Sequence, residues 1–258
     1  MKLALVTAGM RRIGAAIAAR LASEGWALAL HSRREDTPEP ELAAILAQDH
    51  CIWHSFVADF GDSAAVSALL PAVAAHFGRL PDLIVNNASR FVWDDPASVT
   101  VESLALHHAV NVSAPVMLTT GLAVAMPDGA RGCVINILDQ RIRHPGADQL
   151  SYTLSKQALS GATETLARAL APKLRVNAVA PGLTLPTEEY RPAQMVRLAQ
   201  MMPLERLPDP DEIADAVLWL ASAESVTGQT IFVDGGASMK AFDRDFLFLG
   251  DEDNPLPK

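Results

Sequence analysis

Tyr152 and Lys156 stand four residues apart in SYTLSKQALSGATETLARAL, a segment whose apolar spacing predicts a helix, so phenol and ammonium share one face. Such a pair can donate a proton. A free phenol titrates at about 10, and an adjacent cation favours phenolate, which is expected to move Tyr152 toward neutral pH where proton transfer is efficient. Asp139 closes the strand-like run CVINILD upstream. Carboxylate, phenol and ammonium converge if the strand end faces the helix start. A solvated helix face shows the same Tyr-x-x-x-Lys spacing, so the chemistry depends on what surrounds it.

At the N-terminus LALVT is a short apolar run, AGMRRIG breaks it, and Ile13, Ile17 and Leu21 then recur at helical spacing. This predicts a strand, a tight turn through Gly9, Arg11, Arg12, Ile13 and Gly14, and a helix. The turn aims backbone N–H groups and the positive helix end at what lies above it, which suits a pyrophosphate. Gly25 after Glu24 reads as a helix stop. The next apolar run, WALALH, ends at His31 and is followed by Ser32, Arg33, Arg34 and Glu35, where a dinucleotide fold places its ribose-reading residue. An acid there would select NAD. Arg33 and Arg34 instead offer donors to a 2′-phosphate, so NADP(H) is expected, with Arg11 or Arg12 able to reach the same phosphate. A basic loop after a strand is the alternative.

Strands are predicted near 2–7, 26–31, 51–57, 82–86, 132–138, 174–179 and 230–234, and helices near 11–24, 41–48, 63–77, 100–125, 151–171 and 209–222. This alternation, without repeats or low-complexity linkers, predicts an α/β fold: a single-domain Rossmann-type, doubly wound sheet of about seven parallel strands with helices on both faces. Residues 1–240 form that domain and 241–258 a C-terminal tail. Asp139, Tyr152, Phe91 and Thr184 then fall at or beyond carboxyl ends of strands, where open α/β sheets bind ligands.

The chain resembles the short-chain dehydrogenases/reductases, and within them the pteridine reductases and bacterial dihydromonapterin reductases, from residue 2 to about residue 238. The motifs are TAGMRRIG, Asp59 and Phe60 in VADF, Asn86-Asn87-Ala88-Ser89, Asn111 in NVSAP, the Asp139, Tyr152 and Lys156 set, Pro181-Gly182, and VDGG at 233–236. Ala8 departs from the usual first glycine, so the turn must tolerate a methyl group. Arg12 replaces the middle glycine, which is the pteridine reductase pattern and implies contact with the NADPH phosphate. Asp139 replaces the usual substrate-binding serine, as in pteridine reductases. While ionised it can only accept.

The resemblance implies a cofactor site built from Gly9, Arg11, Arg12, Ile13, Gly14, His31, Ser32, Arg33, Arg34, Asp59, Phe60, Asn87, Ala88, Ser89, Tyr152, Lys156, Pro181, Gly182 and Thr184. It implies a substrate site of Ser89, Phe91, Asp139 and Tyr152, and catalytic roles for Asp139, Tyr152, Lys156 and Asn111. NADPH would reduce a C=N bond of a dihydropterin-type, pterin-like small molecule while Tyr152 protonates the adjacent nitrogen. Lys156 would hold the nicotinamide ribose, Asn111 a relay water, and Asp139 would orient Tyr152 or relay protons. Phe91 would stack on the flat ring; a core or lid aromatic is the alternative, with Trp93 able to serve instead. A carbonyl or 3-oxoacyl thioester reductase and a silent NADP(H)-binding sensor are the competing functions. The missing serine counts against the first and the intact Tyr152–Lys156 pair against the second.

A net charge of −9 over 258 residues argues against a nucleic-acid partner. No uninterrupted apolar run is long enough to span a bilayer, and Met1 leads straight into the first strand, so no membrane partner is expected and the cytoplasm is the expected compartment. Cys51 and Cys133 read as buried thiols rather than a disulfide or a metal site. Family members are usually tetramers through helices 100–125 and 151–171, so a homotetramer is expected. Gly182 to Leu207 is expected to close over the substrate. His107 and His108 receive no role, and His144, Arg141 and Arg143 either rim the pocket or form a solvated basic loop. The apolar tail residues Phe242, Phe246, Leu247, Phe248 and Leu249 are costly to leave in water. The tail is therefore expected to dock on a neighbouring subunit or over an active site, with fraying as the alternative.

Overall fold

Every residue of Leu3–Val6 is buried, because this first strand (β1) lies mid-sheet with side chains alternating between two helical layers. Leu3 and Leu5 enter one apolar cluster, Ala4 and Val6 the other. The computed structural model describes residues 1–250. It contains β2 (Ala27–Ser32), β3 (Trp53–Val57), β4 (Leu83–Asn86), β5 (Gly132–Ile137), β6 (Leu174–Pro181) and β7 (Thr230–Val233). All pairings are parallel, in the order β3-β2-β1-β4-β5-β6-β7. The expected doubly wound sheet is therefore present.

Helices α1 (Arg12–Ser23), α2 (Pro40–Leu46) and α8 (Pro210–Ser222) cover one face through Ile17, Leu21, Leu42, Ile213 and Val217. The other face carries α3 (Ser63–Phe77), α4 (Val101–His108), α5 (Ala114–Ala125) and α6 (Leu150–Leu170), with Leu69, Val73, Leu118, Leu122 and Leu166 inward. Each such leucine contributes about 1.5–3 kcal/mol relative to exposure. Local signals agree with the packing. Asp62 caps α3 by accepting from Ala64 N–H at 2.9 Å, and Gly78 ends it at φ 68°. By length and composition Val101–Ala125 passes as a membrane span. Here it is a layer helix, packed on α3 and α6.

One feature differs from the expected elements, and one fills in a stretch where the resemblance implies a loop and short helices. The helix expected at 100–125 contains a π-turn at Ala109–Ser113, which reorients Asn111. The stretch after Gly182 contains a ten-residue helix, α7 (Pro192–Met201), started by Pro192. Leu198 of α7, Met202, Ala237 and Phe246 form a separate cluster that joins this helix to the tail. Of the tail, residues 241–250 are described and lie against their own chain; 251–258 fall outside the described residues.

Candidate active site

The turn after β1 is built for close approach. Ala8 has φ 49° and Arg12 φ 55°, left-handed values that cost a non-glycine residue energy. A Cβ on Gly14 would lie 2.0 Å from Ala8 O and 2.6 Å from Asn87 Nδ2, so only glycine fits. Asn87 Nδ2 donates to Thr7 O and Ala8 O, both at 3.1 Å. Thr7 Oγ1 accepts from the Asn87 and Ala88 N–H groups at 2.9 Å each. Thr7, at the end of an apolar run, carried no signal in the sequence beyond its place before the glycine turn.

His31 secures the same turn from β2. Its Nδ1 accepts from Ala8 N–H at 3.2 Å, and the opposite nitrogen donates to Ala58 O at 2.9 Å, which fixes the neutral tautomer. Burial pulls its pKa down to about 4, against weaker support from Ala58 O and Asp59. The unfolded chain therefore binds the extra proton first. Its stabilisation is complete above the unfolded value of about 6.5 and is lost as pH falls toward about 4, a contribution of about 3 kcal/mol. Urea unfolding across that window should steepen with acid in the wild type and flatten in His31→Gln; equal slopes would contradict the assignment.

Beside the turn a cavity of about 370 Å³ is lined by Ala8, His31, Arg33, Asp59, Phe60 and Ser89. Phe60 stacks on His31 with centroids 4.1 Å apart. Asp59 accepts from Gly61 N–H and from Arg33 Nε at 3.0 Å, which holds its carboxyl below the usual range. Arg11 is ion-paired with Asp36 at 2.6 Å, Ser32 Oγ donates to Arg34 O at 2.7 Å, and Arg12 donates to Leu185 O at 3.2 Å. The cations expected to be free for a 2′-phosphate thus include two with carboxylate partners. Exposed pairs of this kind are worth about 0–1 kcal/mol, so a phosphate can exchange into them. The cavity, the turn and these cations suit a phosphorylated dinucleotide.

A second cleft, about 730 Å³, opens at the carboxyl ends of β5 and β6 and is lined by Arg12, Ile13, Ser89, Asp139, Tyr152 and Thr184, among others. Tyr152 OH donates to Asp139 Oδ2 at 2.9 Å. Lys156 Nζ donates to Ile137 O at 2.8 Å and lies 5.6 Å from the Tyr152 ring centroid. Carboxylate, phenol and ammonium do converge. The expected acidity does not follow: burial first, then the Asp139 charge, raises the Tyr152 pKa well above 10, with Arg141 opposing. Burial lowers Lys156 to about 8. Four apart on a helix brought the ammonium near the ring, but a carboxylate at the oxygen and loss of water outweigh it.

Asn111 is saturated by protein: its Oδ1 accepts from Arg90 N–H at 2.6 Å and Ser89 Oγ–H at 3.3 Å, and its Nδ2 donates to Arg90 O at 3.0 Å and Ser155 Oγ at 2.9 Å. It thereby sets the loop that carries Phe91. That ring is half exposed and meets Tyr152 edge-on, centroids 4.7 Å apart at 87°. His107, given no role from sequence, accepts Val92 N–H at 3.2 Å and is fully buried. Gly182 packs against Asp234, where a Cβ would meet Cα at 2.8 Å, and Thr184 Oγ1 donates to Gly182 O at 2.9 Å. Arg143 lies over Phe232 and His144 is exposed, whereas Arg141 is buried, which overturns the solvated-loop reading for that residue.

A parallel sheet in this order, with a phenol, an ammonium and a dinucleotide-shaped turn at its carboxyl edge, defines a nucleotide-dependent oxidoreductase. The family described as enoyl-(acyl carrier protein) reductase matches residues 8–238. The chain is 32% identical over 250 residues to glucose 1-dehydrogenase 2 of Bacillus subtilis, covering 92% of this chain and 95% of that one. It is 30% identical over 269 residues to the (3R)-3-hydroxyacyl-CoA dehydrogenase of Homo sapiens, covering 92% and 95%. FolM alternative dihydrofolate reductase 1 from Brucella canis, complexed with NADP, superposes with a TM-score of 0.83 at 37% identity, covering 93% of this chain and 95% of that one. The chain belongs to the short-chain dehydrogenase/reductase superfamily, and its cofactor is NADP(H).

Proposed function

We propose that this enzyme reduces a C=N bond of a dihydropterin-type heterocycle. The observation that carries this reading is the Asp139 carboxylate 2.9 Å from the Tyr152 hydroxyl, where the atom accepting the proton must lie. In ketone reduction that atom is an oxygen gaining negative charge, which an anion opposes. In C=N reduction it is a more basic nitrogen that takes its proton as the hydride arrives, so less negative charge builds there, and N–H groups of an aminopyrimidine edge find an acceptor in the same carboxylate.

Bound NADPH supplies the hydride. Gly9, Gly14, Arg12, Asn87 and the cavity beside Asp59 would hold it, with Lys156 toward the ribose. Tyr152 keeps its proton at neutral pH, the form a donor needs, and releases it to the ring nitrogen; such help is worth about 10²–10⁴ in rate. Phe91 provides an aromatic surface for a flat ring. FolM, named a dihydrofolate reductase, supports a pterin-like substrate. The hydroxyacyl-CoA dehydrogenase relative favours a 3-oxoacyl thioester as the second reading. Exposed Val101, Val124 and Leu154 on α4, α5 and α6 support assembly as a homotetramer.

NADPH oxidation with dihydrobiopterin, dihydromonapterin, dihydrofolate and a 3-oxoacyl thioester tests the proposal. Turnover of at least one pterin or folate is expected. Turnover of the thioester alone would refute it, and tight NADPH binding without turnover would point to a sensor.

A further inference from the structure

Arg141 and the tail lie outside the chemistry described so far. Arg141 is only 6% exposed, and an arginine is almost never buried without partners. Its Nη2 is taken by the Asp245 carboxylate and its Nη1 donates to Thr153 Oγ1 at 3.3 Å. Its backbone N–H donates to Asp139 Oδ1 at 2.8 Å, and Nε lies 3.6 Å from the same oxygen with no hydrogen-bond partner. One oxygen of Asp139 therefore belongs to Arg141 and the other to Tyr152. The backbone N–H stays where the chain puts it, but displacing the guanidinium takes a positive charge from the carboxylate that meets the phenol.

What holds Arg141 comes from the tail. Asp245 N–H donates to both Asp148 oxygens at 3.1 Å, and Asp245 Oδ1 accepts from Leu247 N–H at 2.9 Å. Gln194, buried on α7, donates through Nε2 to Leu247 O at 2.9 Å and Leu249 O at 2.8 Å. Phe246 closes the α7 cluster, which leaves Leu247 and Phe248 in the cleft wall, the latter edge-on to Trp93 at 6.4 Å. Among the described residues of the tail the buried anion is Asp245, and it ends on the guanidinium beside Asp139.

We propose that Asp245 is a positioning residue: the C-terminal segment seats Arg141 within its own subunit, and Arg141 holds the Asp139 carboxylate against Tyr152. The inference rests on Tyr152 as proton donor and not on which substrate is reduced.

The full-length protein carrying Asp245→Asn, Arg141→Gln or both is compared with wild type, using NADPH and whichever compound of the panel the wild type turns over. Asp245→Asn keeps the size of the side chain and an acceptor for Leu247. It is expected to lower kcat about tenfold while NADPH affinity stays within about twofold, and the double variant should be no slower than Arg141→Gln alone. A second readout needs no substrate. With only two tyrosines in the chain, carbon-13 labelling at Cζ gives two signals, and the one absent from Tyr152→Phe reports the hydrogen bond to Asp139. Asp245→Asn should move it, as should Gln194→Leu, which frees the tail without changing charge and serves if Asp245→Asn fails to fold. An unmoved Tyr152 signal in both tail variants, or kcat losses that multiply in the double variant, would overturn the proposal. If the wild type reduces nothing in the panel, the functional reading fails while the carbon signal still decides this one.

Discussion

Replacing Tyr152 by Phe is expected to cut kcat by about 10²–10⁴-fold while NADPH affinity changes by no more than about twofold. The change deletes one oxygen. The ring keeps its edge contact with Phe91, and Lys156 keeps its bond to Ile137 O, since neither uses the hydroxyl. Asp139 loses a donor at Oδ2 but retains the Arg141 N–H at Oδ1, so the partly buried carboxylate is not left bare. Stopped-flow loss of nicotinamide absorbance reads the chemical step, and fluorescence titration reads cofactor binding. Equal losses in both would make Tyr152 a structural residue.

The raised pKa of Tyr152 sharpens this expectation. A phenol tuned to neutrality would be partly ionised at working pH and would serve oxidation as readily as reduction. Here burial and the Asp139 charge keep the proton on. Such a phenol is a weak acid, and weak acids transfer well only to basic acceptors. An imine-type nitrogen is such an acceptor; a carbonyl oxygen is far less basic until hydride has arrived. The same two features that oppose ionisation of Tyr152 thus favour the C=N reading.

The sheet was legible because apolar runs such as LIVN and CVINI, buried on both faces, have no other stable use in a chain that alternates them with helical periodicity. The convergence of Asp139, Tyr152 and Lys156 was legible because strand-end and helix-start positions are local properties of order and spacing. Burial and charge at the site were not. Arg141 sits in a run, RIRH, that reads equally as a pocket rim or a solvated loop, and its burial depends on Asp139 beside it and on a carboxylate 104 residues later. The rise of the Tyr152 pKa likewise came from burial and from the neighbour across the turn rather than from the one on its own helix. The resemblance implied short helices after Gly182, but the bounds of α7 were hidden by prolines and charges, because its apolar face is completed by Phe246 of the tail rather than by the sheet. Long-range pairings of this kind leave no periodicity to read.

Replacing Asp139 by Ser is expected to reverse the substrate preference. Unit charges 4 Å apart in an effective dielectric of about 20 interact by about 4 kcal/mol, and each 1.4 kcal/mol or so is about tenfold in rate. A carboxylate hydrogen-bonded to the proton donor therefore penalises a developing alkoxide by about 10²–10³-fold, and a serine hydroxyl turns that penalty into a donor. For a pterin the change has the opposite sign, because the ring N–H groups lose their anionic acceptor. The ratio of kcat/KM for a dihydropterin over a 3-oxoacyl thioester should fall by about 10²-fold or more, with the thioester rate holding or rising. Arg141 retains Asp245 and Thr153 in this variant, so the cleft keeps its wall and the melting temperature checks that it does. If both substrates slow alike, Asp139 selects nothing, its service is to seat Arg141, and the preference for nitrogen over oxygen must be sought in another part of the cleft.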